Sequence, residues 1–427
     1  MKINDTEVFI QKLKAYAYSF SPCVILDSCN IPPQVFPGKY RLLAAFGGNV
    51  LPFTNADSLK QLINFWTENP RWLFGVLGYN LKNEIEHLES NNNKCFDVPN
   101  LAFFEPEHVV AITWDSEIIA FTSDQNYLFS KIEEVEIKPD EKGNLSIIED
   151  VAIDFSASTH RDAVLSIQNE IVNGNVYELN LCSRFLHRNA RLQNPGKLFD
   201  ALNEVSPAPF SAYLNINNMF VMSASPERYI LKNKNMLVCQ PIKGTRPRNK
   251  NEEVDQELKR DLRFHTKDCA ENVMIVDLIR NDLARVSSAG SVEVNELFGI
   301  YSFSHVHQMI STISSEIEPG KTWTDVLRAT FPMGSMTGAP KIAAMKLIES
   351  FELSDREWYS GALGYIDPSG NMDFNVLIRS VFYDMEKHLL AYYAGGAITI
   401  DSNPEDEYNE MLIKASAIQS LISKLIQ

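Results

Sequence analysis

Apolar residues recur with two different periods after about residue 150 of this chain, and that alternation constrains its fold more than any other feature. Ala163, Ile167 and Ile171 fall on one face of a helix. They follow Thr-His-Arg-Asp at residues 159–162, a capping-box pattern that predicts a helix start. Residues 176–185 instead alternate as a strand does. Helices and strands in one chain of 427 residues allow two or three domains, or a single large α/β or α+β body.

Similar patterns place further elements along the chain. Strands are predicted at residues 24–26, 102–104, 219–222, 237–241 and 388–400. Helices are predicted at residues 257–286, at 339–351, and after the cap Ser-Asn-Pro-Glu at 402–405. Residues 137–144 are polar and contain Pro and Gly, so they predict a boundary between an N-terminal part, 1–140, and a second part, 150–427.

Charge and composition exclude several classes of function. The formal net charge is −16 and no Lys/Arg-rich block occurs, so we expect no nucleic-acid partner. No run of about 18 apolar residues and no signal-length stretch is found, so we expect a cytoplasmic protein that does not span a membrane. The six cysteines are scattered without a CxxC pair, which favours free thiols over zinc or redox sites.

Lys243 lies in the segment Pro-Ile-Lys-Gly-Thr-Arg-Pro-Arg, residues 241–248. If this segment is buried, desolvation lowers the pKa of the lysine and frees its amine as a nucleophile. The alternative is a turn whose Lys243, Arg246 and Arg248 are all solvated, which is the commoner case for an isolated lysine. The segment alone leaves both interpretations open.

Two pairs of carboxylates share one spacing. Asp268 and Glu271 are three apart on a predicted helix, and Glu407 and Glu410 repeat that spacing on the last helix, with Lys414 four residues further on. Two helices that each offer oxygen ligands can hold Mg²⁺ between them. The alternative is two solvated acidic faces.

Three other features have the chemistry of anion binding. Gly-Ser-Met-Thr-Gly-Ala-Pro-Lys at residues 334–341 leads into a helix, and helix N–H groups with Lys341 can hold an anion. Gly395 and Gly396 permit close backbone approach to a ligand, although a simple turn is the commoner case. Arg379 lies in an apolar run, where it either pairs with an internal carboxylate or clamps the carboxylate of a ligand.

Several longer segments together resemble the chorismate-utilising enzymes. The resemblance covers residues 155–420, and the segments that carry it are residues 225–228, 241–248, 267–272, 277–282, 331–341, 359–361 and 401–414. A weaker match in the N-terminal part includes Leu26, Asp27 and Ser28, which are similar to a segment lining a tryptophan pocket in that family.

This resemblance implies an α+β fold like that of anthranilate synthase component I. Two large antiparallel β-sheets would pack together, with helices outside and a central cleft for chorismate and Mg²⁺. The metal ligands would be Glu271 and Glu410, with Asp268 and Glu407 in support. The residues expected at the substrate are Glu227 as general acid, Arg379, Lys414, Gly395 and Gly396 at its carboxylates, and Thr245, Thr337, Lys341, Tyr359, Glu178 and Gln308 along the cleft.

Three positions narrow the reaction that the resemblance implies. Family members that add water carry Lys where this chain has Glu178, which disfavours isochorismate and salicylate synthesis. Anthranilate synthases typically have Ala at the position of Lys243, whereas aminodeoxychorismate synthases have Lys. Many members that also eliminate pyruvate have His at the position of Gln308, and here His307 is displaced by one residue, to the other face of a strand.

The resemblance therefore favours synthesis of 4-amino-4-deoxychorismate from chorismate and ammonia, through attack by Lys243. The chain contains no Gly-x-Cys-x-Gly nucleophile turn of a glutaminase, so we expect a glutamine amidotransferase subunit that docks through residues 1–140. The alternatives are an anthranilate synthase component I, or a protein that holds chorismate or an aromatic amino acid without turnover.

Overall fold

A computed structural model describes residues 5–32, 36, 38–54, 56–137, 145–147, 149–303 and 306–426. The helices in these ranges are α1 (Thr6–Ala17), α2 (Ser58–Glu68), α3 (Leu81–Glu86), α4 (Gln125–Glu133), α5 (Ala157–Val172), α6 (Pro195–Val205), α7 (Glu252–Phe264), α8 (Thr266–Ala284), α9 (Trp323–Thr330), α10 (Lys341–Phe351) and α11 (Pro404–Leu425), with a 3₁₀ turn at Gly334–Met336.

The strands in the same ranges are β1 (Cys23–Asp27), β2 (Tyr40–Phe46), β3 (Asn49–Val50), β4 (Leu73–Leu77), β5 (Leu101–Glu105), β6 (His108–Thr113), β7 (Ile118–Phe121), β8 (Leu145–Ser146), β9 (Ala152–Ile153), β10 (Glu178–His187), β11 (Arg191–Leu192), β12 (Phe210–Ile216), β13 (Met219–Ser225), β14 (Arg228–Asn233), β15 (Met236–Gln240), β16 (Ile242–Pro247), β17 (Glu293–Ser302), β18 (Val306–Glu316), β19 (Gly338–Ala339), β20 (Ala362–Ile366), β21 (Met372–Asn375), β22 (Ser380–Asp384) and β23 (Leu389–Ile398).

Two large sheets organise these strands. One runs in the order β19-β10-β23-β22-β13-β12-β1-β2-β6-β7, with β9 beside β10. The other runs β16-β18-β15-β14-β21-β20-β4-β5-β3, with β17 beside β18. Neighbouring strands in both sheets are antiparallel, as the registers of β10 with β23 and of β16 with β18 illustrate. The predicted α+β class with two large antiparallel sheets is confirmed.

The sheets pack face to face because their strands alternate between two apolar environments. On β12, Leu214 belongs to the core between the sheets, together with Phe74 and Phe374 of the second sheet. Its neighbour Tyr213 points the other way and packs with Met411 of α11. Side chains that alternate along a strand can fill an inter-sheet core on one face and a helix-covered core on the other.

The two sides of the predicted boundary share both sheets. β1, from the N-terminal part, pairs with β12, and β4 pairs with β20. One core therefore joins the two parts of the chain. Residues 138–144 lie outside the described residues, and the division into 1–140 and 150–427 stays a prediction about the roles of the two parts.

Helix starts differ from the sequence-based prediction in several places, including residue 339, since α10 begins at Lys341. The helix predicted at residues 257–286 is two helices, α7 and α8, because His265 is extended and its imidazole caps α8 by accepting the N–H of Asp268. α5 begins earlier than predicted, since Ser156 is its N-cap and forms the capping box with Thr159. An N-cap residue accepts backbone N–H groups of the first helical turn, which precedes the first apolar residue of the repeat. The apolar repeat alone therefore predicts the helix start at the wrong residue.

The final helix begins as its pattern predicts, with Asn403 as the cap, Pro404 in the first turn and acidic residues after it. In the described ranges, no helix is both long and apolar enough to cross a membrane. All six cysteines are free thiols, and three of them are buried.

Arg356 and Glu352 form a buried ion pair beside β10 of the first sheet. The loss of this pair should destabilise the fold. The guanidinium donates to both Glu352 oxygens, at 2.6 and 2.9 Å, and to the carbonyls of Met336 and Asn180. Arg356→Met would leave the Glu352 carboxylate buried without its partner, so we expect a loss of about 3–5 kcal/mol in the free energy of unfolding. Urea denaturation measures this loss.

The matched control is Arg280→Met, which removes an arginine from an exposed ion pair with Asp277. Exposed pairs contribute about 0–1 kcal/mol, so the unfolding midpoint should hardly move. Equal losses in the free energy of unfolding of the two variants would show that the buried Arg356 pair stabilises the fold no more than an exposed pair does.

Candidate active site

Lys243 lies on β16, the edge strand of the second sheet, and its side chain is only 11% exposed. Its Nζ is 3.8 Å from Oε2 of Glu271, which comes from α8. Glu178, at the start of β10 in the first sheet, and Glu227, between β13 and β14, also act electrostatically on this ammonium group. Lys243 is therefore a largely buried lysine in a cleft between the sheet edges, not a solvated turn lysine.

The protonation of Lys243 differs from what its segment predicted. Burial opposes its charge, but the carboxylates of Glu178, Glu271, Glu227 and Glu410 outweigh burial and raise the pKa of Lys243. The prediction of a pKa lowered by burial was therefore wrong for this arrangement, because the segment gave no sign of the carboxylates around it.

The neighbouring arginines do not hold the pKa of Lys243 down either. Arg246 pairs with Asp261 and with Asp268, at 2.7 and 3.0 Å. Arg248 pairs with the buried Asp255 at 2.9 Å. Both positive charges are thus committed to other carboxylates, and Lys243 faces an acidic cleft.

Glu227 is 4% exposed and has the properties of a general acid. Burial raises the pKa of Glu227 to about 7, although a hydrogen bond from Ser335 and the charges of Lys243 and Arg379 work in the opposite direction. The Ser335 hydroxyl donates to Oε1 at 2.6 Å. A carboxyl group with such a pKa can hold a proton near neutral pH and release it to a substrate.

The carboxylates predicted to bind a metal lie on α8 and α11. Glu271 and Glu410 both act on Lys243, which places them at the same cleft. Lys267 lies between the two helices, with its Nζ 2.8 Å from Oε1 of Glu407 and 3.9 Å from Oε1 of Glu271. Two acidic helices therefore face each other here, and a lysine partly neutralises them.

The donor chemistry of this cleft fits Mg²⁺. The Oε2 atom of Glu178 is buried without a hydrogen-bond partner, so the cleft has an unused oxygen as well as the oxygens of Glu271 and Glu410. Mg²⁺ binds few protein carboxylates and keeps several waters. Within the described ranges, however, no three acidic, His or Cys side chains converge closely enough to form a complete metal site by themselves.

The two supporting carboxylates have other partners. Asp268 accepts one hydrogen bond from Arg246, at 3.0 Å, and approaches His265 at 2.9 Å. Glu407 is buried and accepts from Ser402 at 2.7 Å as well as from Lys267. Asp268 and Glu407 therefore already have protein partners near the starts of their helices, and their support of a metal site stays a prediction.

Arg379 is a cation of the cleft that has no hydrogen-bond or ion-pair partner among the described residues. It lies just before β22 rather than inside a strand, and its φ of 50° is the left-handed conformation that a non-glycine residue seldom adopts. Its side chain forms no hydrogen bond or ion pair with any residue the structure describes, and Glu227 is the carboxylate that acts on it. The sequence left two partners open for Arg379, an internal carboxylate or the carboxylate of a ligand. The structure favours the ligand carboxylate.

Gly395 and Gly396 lie on β23, where it passes α11. A side chain at Gly395 would meet the carbonyl oxygen of Leu181 at 2.1 Å, so the close pairing of β23 with β10 requires glycine. A Cβ at Gly396 would come within 3.6 Å of the Lys414 ammonium. Lys414 pairs with Glu410 at 2.7 Å and donates to the Gly395 carbonyl, which places glycine backbone and lysine together at the cleft.

Other residues expected along the cleft have different surroundings. Lys341 is buried in an ion pair with Asp282, so its charge is already neutralised. The Thr337 hydroxyl donates to the Met333 carbonyl, and Thr245 is exposed. Tyr359 is buried and stacks on the ring of Tyr393 at 4.6 Å.

Gln308 and His307 occupy opposite faces of β18, as the strand pattern predicts. Both are buried. The His307 ring lies between Ser302, at 2.8 Å, and Asp255, at 3.1 Å. His307 therefore connects β18 to α7. Gln308 pairs with Thr245 of β16, the strand that carries Lys243.

Leu26, Asp27 and Ser28 line a separate cavity of about 80 Å³ between the sheets. Asp27 pairs with Lys14 at 2.6 Å, whereas the buried hydroxyl of Ser28 has no hydrogen-bond partner. The cavity also contains Arg228, whose guanidinium is bonded to Asp373. It offers apolar walls and an unused hydroxyl, in keeping with a small amphipathic ligand.

Sequence reasoning did not single out two residues that now matter at the cleft. Ser335 donates to Glu227, and Lys267 joins α8 to α11. Ser335 lies inside the glycine-containing segment 334–341, which was interpreted only through its backbone and Lys341. A hydroxyl that meets a carboxylate more than a hundred residues away leaves no local signal.

Comparison with known proteins agrees with this architecture. The sequence profile of chorismate binding enzymes matches residues 30–420. The chain is 29% identical to "Aminodeoxychorismate synthase component 1" of Bacillus subtilis, over 96% of this chain and 94% of that protein. It is 33% identical to the protein of the same name in Escherichia coli, over 82% and 76% of the two chains. It is also 33% identical to an "Anthranilate synthase component I-like protein" of Synechocystis, over 83% and 73%.

Solved structures share the fold. Anthranilate synthase component I from Streptococcus pneumoniae superposes with a TM-score of 0.77, at 24% identity, over 91% of this chain and 93% of that one. The expected fold, like that of anthranilate synthase component I, is confirmed. The length of the profile match and the identities to the relatives establish that the chain belongs to the chorismate binding enzyme family.

Proposed function

We propose that this enzyme converts chorismate and ammonia into 4-amino-4-deoxychorismate, with Lys243 as nucleophile. The observation that carries the proposal is a lysine buried in the cleft, with Glu227 and Arg379 near it. Relatives named aminodeoxychorismate synthase component 1 add support. The relatives are named as synthases, which favours turnover over binding alone.

The cleft offers one group for each step of this reaction. Arg379 binds a carboxylate of chorismate, and Lys414 with the backbone of Gly395 and Gly396 binds another. The Lys243 amine, once it has lost its proton, attacks C2, both conjugated ring double bonds shift, and the C4 hydroxyl leaves as water with a proton from Glu227. Ammonia then attacks C4 and loses a proton, both ring double bonds shift back, and the Lys243 amine departs from C2 and takes up a proton.

A Mg²⁺ ion bound by Glu271 and Glu410 would neutralise two of the carboxylates that keep a proton on Lys243, and would attract a substrate carboxylate. Without such neutralisation, the four carboxylates around Lys243 favour its charged form, which is not a nucleophile. We therefore expect the reaction to depend on a divalent cation.

Two further parts of the proposal concern the N-terminal part of the chain. Ammonia would come from a glutamine amidotransferase subunit that docks on residues 1–140. The cavity at Leu26, Asp27 and Ser28 would take tryptophan, with the unpartnered Ser28 hydroxyl as one hydrogen-bonding group. Both follow from the family resemblance.

The second candidate function is that of an anthranilate synthase component I. Relatives at 33% and 37% identity carry that description. The two functions differ in the position of amination, C4 against C2, and in the need for elimination of pyruvate. Only the first function requires a nucleophilic lysine in the cleft.

Product identification tests the proposal. The enzyme is incubated with chorismate, ammonium and Mg²⁺, an aminodeoxychorismate lyase is added, and the products are separated by chromatography. We expect 4-aminobenzoate only when the lyase is present, and none when a chelator removes the cation. Formation of 2-aminobenzoate without the lyase would contradict the proposal and establish the second function.

A further inference from the structure

The Ser335 hydroxyl is the one hydrogen-bond donor that reaches the carboxyl group of Glu227 among the described residues. It donates to Oε1 at 2.6 Å, and both side chains are buried. The other oxygen, Oε2, accepts no hydrogen bond from the residues that the structure describes. The two oxygens of Glu227 are thus different, one held by protein and one left for a ligand.

The turn that carries Ser335 is held on three sides. The 3₁₀ turn closes with a hydrogen bond from the Thr337 N–H to the Gly334 carbonyl. The Ser335 carbonyl accepts from the Asn180 amide at 3.2 Å, which ties the turn to β10. A Cβ at Gly334 would lie 2.7 Å from the Leu278 side chain, so the turn packs closely on α8. Such a backbone fixes the hydroxyl where it is.

We propose that Ser335 is a positioning residue for Glu227: by holding Oε1, its hydroxyl keeps the acidic proton on Oε2, where the departing hydroxyl of the substrate can receive it. This inference rests on the proposed role of Glu227 as the general acid. It adds the residue that decides which oxygen delivers the proton. A carboxyl group whose free oxygen is fixed loses less orientational freedom when it transfers its proton.

Other charged and titratable groups also face Glu227. Lys243 on β16 and Arg379 before β22 stabilise its carboxylate. Cys239 on β15 lines the adjoining cavity behind it together with Asp282, whose charge is paired with Lys341. All of these remain when Ser335 is changed, so the loss of the hydroxyl alone should be measurable.

Ser335→Ala should change the pH dependence in a defined direction. The carboxylate form of Glu227 loses a hydrogen bond, so its proton is held more tightly and the alkaline fall in kcat/KM should move up by about one pH unit. Because the proton is no longer fixed on Oε2, kcat/KM on the plateau below that fall should drop about tenfold. Ser335→Thr keeps a hydroxyl and should restore both values.

The matched control is Ser225→Ala. Ser225 is equally buried beside Glu227, and its hydroxyl donates to the Val376 carbonyl at 2.6 Å and bonds the Glu227 backbone at 3.3 Å, but it does not touch the carboxyl group. Its removal should leave the alkaline fall in kcat/KM at the wild-type pH.

The experiment measures chorismate consumption against pH for the wild-type enzyme, Ser335→Ala, Ser335→Thr and Ser225→Ala. The shift in Ser335→Ala alone, with recovery in Ser335→Thr, is the expected result. An unshifted profile in Ser335→Ala, or an equal shift in Ser225→Ala, would overturn the inference. The assay follows the consumption of chorismate, which can be measured whichever product forms. If the enzyme made 2-aminobenzoate, the proposed function would be refuted, but the pH profiles would still test the role of Ser335.

Discussion

Replacing Lys243 by alanine is expected to lower the rate of 4-amino-4-deoxychorismate formation about a thousandfold or more. The variant removes the amine that would attack C2, and neither Arg246 nor Arg248 is free to substitute, because each is paired with a carboxylate. Loss of a covalent nucleophile costs far more than loss of one binding contact. The rate is measured with saturating ammonium and Mg²⁺, coupled to the lyase.

Lys82→Met is the matched control for this variant. Lys82 is also buried, on α3, but its Nζ donates to Asn83 and Ser90, at 2.7 and 2.8 Å, and takes no part in the cleft. It should keep most of the wild-type rate once it is shown to be folded. An enzyme in which Lys243→Ala consumes chorismate at the wild-type rate would contradict the lysine mechanism and favour the anthranilate reaction.

Most elements were predictable because their periods are local. The strand at residues 219–222 is part of β13, and the final helix begins where Asn403 and Pro404 place it. The break between α7 and α8 was not predictable from apolar spacing, since it depends on the extended backbone of His265. Register and sheet order depend on pairs far apart in sequence, such as β1 with β12.

For the site, residue types were predictable and their partners were not. Lys243 and Arg379 stood out as ionisable residues in apolar or glycine-containing segments, whereas Glu227 was predicted only from the family resemblance. Their charge states depend on the four carboxylates that surround Lys243 and on the single hydroxyl that meets Glu227. Those neighbours come from β10, α8, α11 and a 3₁₀ turn, so only the folded chain could reverse the expected direction of the lysine pKa.

Glu227→Gln is expected to lower kcat about a hundredfold to ten-thousandfold, the usual contribution of a general acid. Glutamine is nearly the same size and can still accept a hydrogen bond from Ser335, so the change removes the proton rather than the packing. In the wild-type enzyme, the acid works only while protonated, and burial raises the pKa of Glu227 to about 7. The wild-type kcat/KM should therefore fall as pH rises through about 7, and this fall should disappear in the variant.

Glu357 supplies the control that makes this test specific. It is buried like Glu227, and burial likewise raises the pKa of Glu357 to about 7. Its carboxylate, however, accepts the Phe96 N–H at 2.6 Å and lies beside Cys95, away from Lys243. Glu357→Gln should keep both the rate and the alkaline fall. A group that titrates near neutral pH is an acid catalyst only where it can reach the leaving oxygen. If the alkaline fall in kcat/KM vanished in Glu357→Gln and persisted in Glu227→Gln, Glu227 would not be the group that supplies the proton.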